Sequence, residues 1–182
     1  MRLQRLRDRY DSRIRLKRWS FALRPDPDPT ATFHGTYREA AWRQASSLSV
    51  DVGISFQMWT RPDFPQWSLP ALEAAKCAEL QGPEAFERMH LGLFRGFFSE
   101  GVNIGRAEEV IEVARRAGLD MDRFLNDYKE GGQRQRVLIE HAQAVQQYRV
   151  RAIPTVVIGE APPIVGAVPL REYERLLARL LG

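Results

Sequence analysis

An α/β fold whose sheet part is split by a long helical middle is predicted by three observations. Near the C-terminus, Val150 to Gly166 reads as a hairpin with a proline at its entrance. Thr155 to Ile158 are four consecutive β-branched residues, Gly159 to Pro163 supply turn chemistry, and the apolar run resumes at Ile164. Near the N-terminus, apolar residues alternate with charged ones from Arg13 onward, a period of two that suits a strand. Between these ends, Ser68 to Tyr148 repeats its apolar residues at helical spacing. The sheet part is therefore expected over 1–24 and 149–182 and the helical insertion over about 36–132, all within a single domain of residues 1–182.

Composition narrows the class. The 182 residues are 44% hydrophobic and 27% charged, values of a globular protein, and the net charge of +4 is not that of a dedicated nucleic-acid binder. One cysteine excludes an internal disulfide framework. No run is long enough to span a bilayer, and no charged-then-apolar leader is seen, so the expected location is cytoplasmic, with neither nucleic acid nor membrane as partner.

From the start, Leu3, Leu6 and Tyr10 fall on one face of a short helix whose other positions are largely arginine. Eight of the first 18 residues are basic, but Asp8 and Asp11 interrupt them, and a solvated face is the expected reading. A strand follows, with Ile14 and Leu16 in phase, then a slip after which Trp19, Phe21 and Leu23 alternate, as a bulge would produce. Pro25 to Pro29 forms an extended connector leaving the sheet. His34 or Thr36 opens a short helix through Trp42 to Leu48, and an extended piece follows over Val52 to Trp59. Trp59, Phe64 and Trp67 form an aromatic cluster, read as packing of the insertion, with the lining of a peptide groove as the rival reading.

Ser68 is the expected N-cap of the next helix, with Leu69 and Pro70 in its first turn and Ala71, Ala74, Ala75 and Ala78 on a small-residue face. Cys77 lies among these alanines and is expected to be a buried small hydrophobe, because it has no Cys-x-x-Cys partner and no neighbouring basic residue at a helix terminus to lower its pKa. Gly82 breaks the helix and Pro83 starts another, with Phe86, Met89, Leu93 and Phe97 on its inner stripe. His90 and His141 have no companion at metal spacing and are read as packing residues. Gly118 closes a further helix, Asp120 caps the one carrying Phe124, and Gly131-Gly132 ends the insertion. Val137, Leu138, Ala144, Val145 and Tyr148 return the chain to the sheet. The last helix begins near Pro169, with Tyr173, Leu176, Leu177 and Leu180 facing inward. No phosphate-cradling glycine loop, zinc spacing or Ser/His/Asp constellation occurs, so no catalytic residue, metal ligand or cofactor is assigned.

The stretch Val150-x-x-Ile153-Pro154-Thr155-Val156-Val157-Ile158, followed by Ile164-Val165-Gly166-Ala167 and an amphipathic C-terminal helix, resembles the thioredoxin-like DsbA family, and most of all its FrnE-like branch. The resemblance continues upstream through Pro65-Gln66-Trp67-Ser68-Leu69-Pro70, Gln81-Gly82-Pro83-Glu84-Ala85-Phe86, Leu93-Phe94-Arg95-Gly96-Phe97-Phe98 and Ala117-Gly118-Leu119-Asp120. It implies a thioredoxin-like sheet interrupted by a large helical insertion and a thiol–disulfide oxidoreductase or disulfide isomerase function. It also implies a cis proline at Pro154, with Ile153, Pro154 and Thr155 binding an extended peptide or a thiol-containing substrate. The family carries a first strand and a Cys-x-x-Cys ahead of its first helix, and these residues contain neither. They are expected just before Met1, or lost in this homologue. The oxidoreductase is accordingly expected to be inactive in these residues. The alternatives are a glutathione-binding relative of the hydroxychromene-carboxylate isomerase or kappa-class transferase type, in which serine replaces the cysteine, and a non-catalytic peptide-binding module.

Overall fold

Alanine, glycine and alternating charge in the middle of the sequence become four packed helices in the computed structural model, which describes residues 2–49, 55–129 and 131–182. The chain divides into two compact units, Ala22–Leu138 and, from both ends of the sequence, Met1–Phe21 with Ile139–Gly182.

The larger unit holds α2 (Tyr37–Ser49), α3 (Leu69–Leu80), α4 (Pro83–Ser99), α5 (Ala107–Arg116), α6 (Met121–Lys129) and the first half of α7 (Gly132–Gln146). Helices α3 to α6 enclose one core of Ala74, Cys77, Met89, Leu93, Val110, Val113 and Phe124, all buried. The breaks between them follow local chemistry. Gly82, at φ +111°, takes a backbone that side chains avoid, and Pro83 restarts the helix. Gly118, at φ +67°, lets the Leu119 N–H reach back to the Ala114 carbonyl and close α5. The Asp120 carboxylate then accepts the Arg123 N–H at 3.1 Å, capping α6 as expected.

Helix α4 departs from the expected phase. Its buried stripe is Ala85, Met89, Leu93 and Gly96, while Phe86 and Phe97 are only partly buried. Small residues take the inner positions because neighbouring chain lies too close for larger ones: a Cβ on Gly92 would stand 3.1 Å from a Val113 methyl, and one on Gly96 3.3 Å from Val102. Phe97 and Phe98 turn instead to a second core with Phe33, Trp42, Trp59 and Phe64, where Trp59 is 1% exposed. Trp59 and Phe64 are thus packing residues, whereas Trp67 joins a third cluster with Ala22, Leu69 and Val137 and donates its indole N–H to the Pro25 carbonyl.

Two further expectations change here. Thr36 does open α2, its hydroxyl accepting the Arg38 N–H while the Glu39 carboxylate takes the Gly35 N–H. Ser68, by contrast, caps nothing with its side chain, since its hydroxyl oxygen accepts the Arg24 N–H at 3.0 Å and fastens the incoming loop to the start of α3. Of the extended piece expected over Val52 to Trp59, residues 52–54 lie outside the described residues, and 55–59 form no regular element.

The smaller unit contains α1 (Arg2–Tyr10), a single 3₁₀ turn over Asp11–Arg13, the second half of α7, the antiparallel pair β1 (Thr155–Val156) and β2 (Ile164–Val165), and α8 (Leu170–Leu181). Leu6 from α1 and Tyr173 and Leu177 from α8 are its buried centre, with Ile14, Val156, Ile158 and Ile164 packed around them. Leu180, expected inside, is 51% exposed, and Val145 is exposed as well.

The strand expected after Arg13 is not formed among the described residues. Ile14 is extended (φ −132°, ψ 146°), but no ladder pairs this stretch, and a strand exists only through its partner's hydrogen bonds. The parity after the slip is also reversed: Ser20 and Ala22 are buried and Leu23 is 58% exposed. The buried Glu140 carboxylate accepts the Ser20 N–H at 2.8 Å, which draws that residue rather than its neighbours inward.

Candidate functional site

The stretch singled out in the sequence, Ile153 to Thr155, lies in the smaller unit between the end of α7 and β1. Arg149 has a left-handed backbone (φ 53°), and the Val150 N–H returns to the Ala144 carbonyl at 2.9 Å, which closes α7 and turns the chain. Val150 is buried and anchors the turn, and the next four residues, Arg151 to Pro154, are all exposed.

Two hydrogen bonds fix this exposed stretch. The Thr155 hydroxyl donates to the Ala152 carbonyl at 2.6 Å, and the Gly166 N–H donates to the Pro154 carbonyl at 2.8 Å. Gly166, at φ +90°, can turn its N–H this way because it lacks a side chain. The Ile153–Pro154 bond is cis, and Ile153 is 47% exposed. Among the described residues no hydrogen bond engages the Ile153 N–H or C=O. A short, held segment with one free donor and one free acceptor can pair with an extended peptide, as sheet edges do. Sequence reasoning did not assign Gly166 to this site; its signal was the Ile164-Val165-Gly166 run facing Pro154 across a hairpin.

The other candidate groups are accounted for by packing. Cys77 is fully buried in α3, and removal from water, reinforced by Asp127 and Glu73, pushes its thiol up to about 12, so it stays protonated. His141 rests on the Phe21 ring, 4.8 Å between centroids, and His90 stands between Phe86 and Phe94 along α4. Among the described residues no group of three His, Cys, Asp or Glu is arranged to hold a metal ion, and no helix is long and apolar enough to cross a membrane.

In chain order, a helical middle followed by a proline-led hairpin and a C-terminal helix is the pattern of a thioredoxin-like protein. The chain belongs to the DSBA-like thioredoxin domain family, whose model matches residues 1–178. It is similar to the crystal structure of a candidate protein disulfide isomerase from Nitrosomonas europaea, with a TM-score of 0.75 and 18% identity over 100% of this chain and 90% of that one. It is also 29% identical over 147 residues to the ClpXP adapter protein SpxH of Halalkalibacterium halodurans, covering 78% of this chain. The chain spans 47% of that relative's length, about half.

Proposed function

We propose that residues 1–182 form the peptide-docking part of a DSBA-like thiol–disulfide oxidoreductase-type protein, with Ile153, Pro154 and Thr155 receiving an extended polypeptide or a thiol-containing substrate. The observation that carries this reading is the exposed Ile153 backbone, free of internal hydrogen bonds beside a Pro154 carbonyl already tied to Gly166. A bound peptide would gain main-chain hydrogen bonds there without displacing any that the protein makes.

Docking in these residues is not accompanied by a complete exchange centre. Disulfide exchange needs a thiolate to attack one sulfur of the substrate disulfide and a second thiol to resolve the mixed disulfide that forms. Cys77 is the sole cysteine of the 182 residues, it is buried, and its thiol is held protonated. A relative named as an adapter protein supports the binding side of the reading.

The test has two arms. An unstructured peptide containing one cysteine, titrated into the 182-residue protein and followed by amide resonances, is expected to shift Arg151, Ala152, Ile153 and Thr155. Shifts that leave these four unmoved would overturn the docking assignment. In a parallel assay of disulfide reduction the same protein is expected to show no turnover, and turnover that survives Cys77→Ala would refute the chemical half.

A further inference from the structure

Within the larger unit, the end of α6 and the start of α7 border a cleft of about 250 Å³ together with the first turns of α3 and α5. Most of its wall is carbon, from Pro70, Ala107, Ile111 and the rings of Trp67 and Tyr128. Three charged side chains complete the lining: Glu73, Lys129 and Arg134.

The polar handles of that wall are already engaged. The Trp67 indole N–H donates to the Pro25 carbonyl at 2.9 Å and the Tyr128 hydroxyl to the Pro70 carbonyl at 3.1 Å, so both residues offer a ligand only their rings. Glu73, 3% exposed, is committed to Arg134, whose Nε–H it accepts at 2.7 Å. The same guanidinium stands 5.1 Å from the centroid of the Trp67 ring and is thereby held from two sides. The groups left open are cationic. Among the described residues no hydrogen bond engages either Nη group of Arg134, and Lys129, exposed at the end of α6, makes neither a hydrogen bond nor an ion pair.

We propose that this cleft binds a small apolar carboxylate, a compact branched or cyclic hydrocarbon body carrying a single acid on a short arm. The body is apolar because the wall offers no open hydrogen-bonding group, and a polar body would lose its hydration there without replacement. The charge is negative because Glu73 balances Arg134 and leaves Lys129 uncompensated among the lining side chains. One excess positive charge suits a carboxylate, whereas a phosphate monoester carries nearly two negative charges. Arg134, fixed by Glu73 and Trp67, keeps its planar Nη pair available for two carboxylate oxygens. Size sets the limit, since pockets for drug-sized ligands begin at about 300 Å³. The site uses none of the residues proposed for docking at Ile153.

The experiment titrates cyclohexylacetate into the 182-residue protein and follows the Ile111 methyl and Trp67 indole N–H resonances. Saturable shifts of both are expected, with a dissociation constant of about 1 mM, the scale for a ligand of this size. Cyclohexylacetamide, which keeps the body and loses the charge, and acetate, which keeps the charge and loses the body, should each bind at least tenfold more weakly. Lys129→Gln, at an exposed position that leaves the fold intact by circular dichroism, should weaken binding of the acid at least threefold and leave that of the amide unchanged. Equal binding of acid and amide would overturn the proposal, as would unaltered affinity in Lys129→Gln or tighter binding of cyclohexyl phosphate than of the carboxylate. Absence of saturation by about 10 mM would overturn it too, without bearing on the docking reading.

Discussion

Arg61 grips Glu109 through two parallel hydrogen bonds, Nη1 to Oε2 and Nη2 to Oε1, each 2.7 Å, across 48 residues of sequence. The same guanidinium binds Asp63 through Nε at 2.9 Å and Nη2 at 2.8 Å. Asn103, 3% exposed, completes the knot: its amide nitrogen donates to Asp63, its amide oxygen accepts the Gly105 N–H, and its backbone N–H donates to Glu109. The loop before α3 is thereby fastened to the start of α5. Arg61→Ala is expected to cost about 2 kcal/mol, the range of hydrogen bonds to charged groups, and Arg61→Lys less than that but more than nothing, because an ammonium cannot form the planar fork. The urea midpoints of the two variants measure it.

The same knot sets an acid limit. Hydrogen bonding from Arg61, helped by Asn103, holds the Asp63 carboxyl at about 2. Burial of Glu109 works the other way, but hydrogen bonds from Arg61 and the Asn103 N–H outweigh it, and its carboxyl too lies below the usual range. A carboxylate depressed in the folded state supplies stability that is complete above its unfolded pKa, near 4, and is lost as pH falls toward the folded value. Stability should therefore decline between about pH 4 and pH 2 more steeply in the native protein than in Arg61→Ala, as thermal unfolding across that window would show.

Cys77 should react with iodoacetamide far more slowly than a free thiol until the protein is unfolded, because it is buried and held protonated with a pKa of about 12. Cys77→Ser would place a hydroxyl among Ala74, Met89 and Val110 and is expected to cost about 2 kcal/mol, with Cys77→Ala milder. Denaturant titration of both variants decides the order.

Two glycines with similar crowding should respond differently. A Cβ on Gly92 meets one Val113 methyl at 3.1 Å, which can yield, and alanine gains about 1 kcal/mol in a helix, so Gly92→Ala is expected to be near neutral. A Cβ on Gly105 meets the Trp67 carbonyl oxygen at 3.1 Å and the Gln66 nitrogen at 3.3 Å, both main-chain atoms, so Gly105→Ala should cost about 1–3 kcal/mol. Midpoint shifts of the same size would contradict the distinction.

Much of the helical middle was legible in the sequence because its boundaries are local. Gly82 before Pro83, Gly118 and Asp120 act through their own backbone or a neighbour three to five residues away, and the structure ends or starts helices at each. The burial of Cys77 was legible for the same reason, since alanines at helical spacing announce a close approach. The α4 phase was not, because Gly92 and Gly96 become inner residues only when Val113 and Val102 press against them.

By itself the sequence determined that a proline opens an apolar β-branched run at Pro154, that one cysteine is all the thiol chemistry these residues hold, and that helices fill the middle. Tertiary structure alone decided which backbone groups remain unpaired at Ile153, where the Ser68 hydroxyl goes, why Ser20 rather than Phe21 turns inward, and how Arg61 finds Glu109. The physical reason is one of range. Turns, caps and proline geometry are set by a few adjacent residues, whereas a strand, an ion-pair knot or an open edge exists only through partners brought together from distant positions.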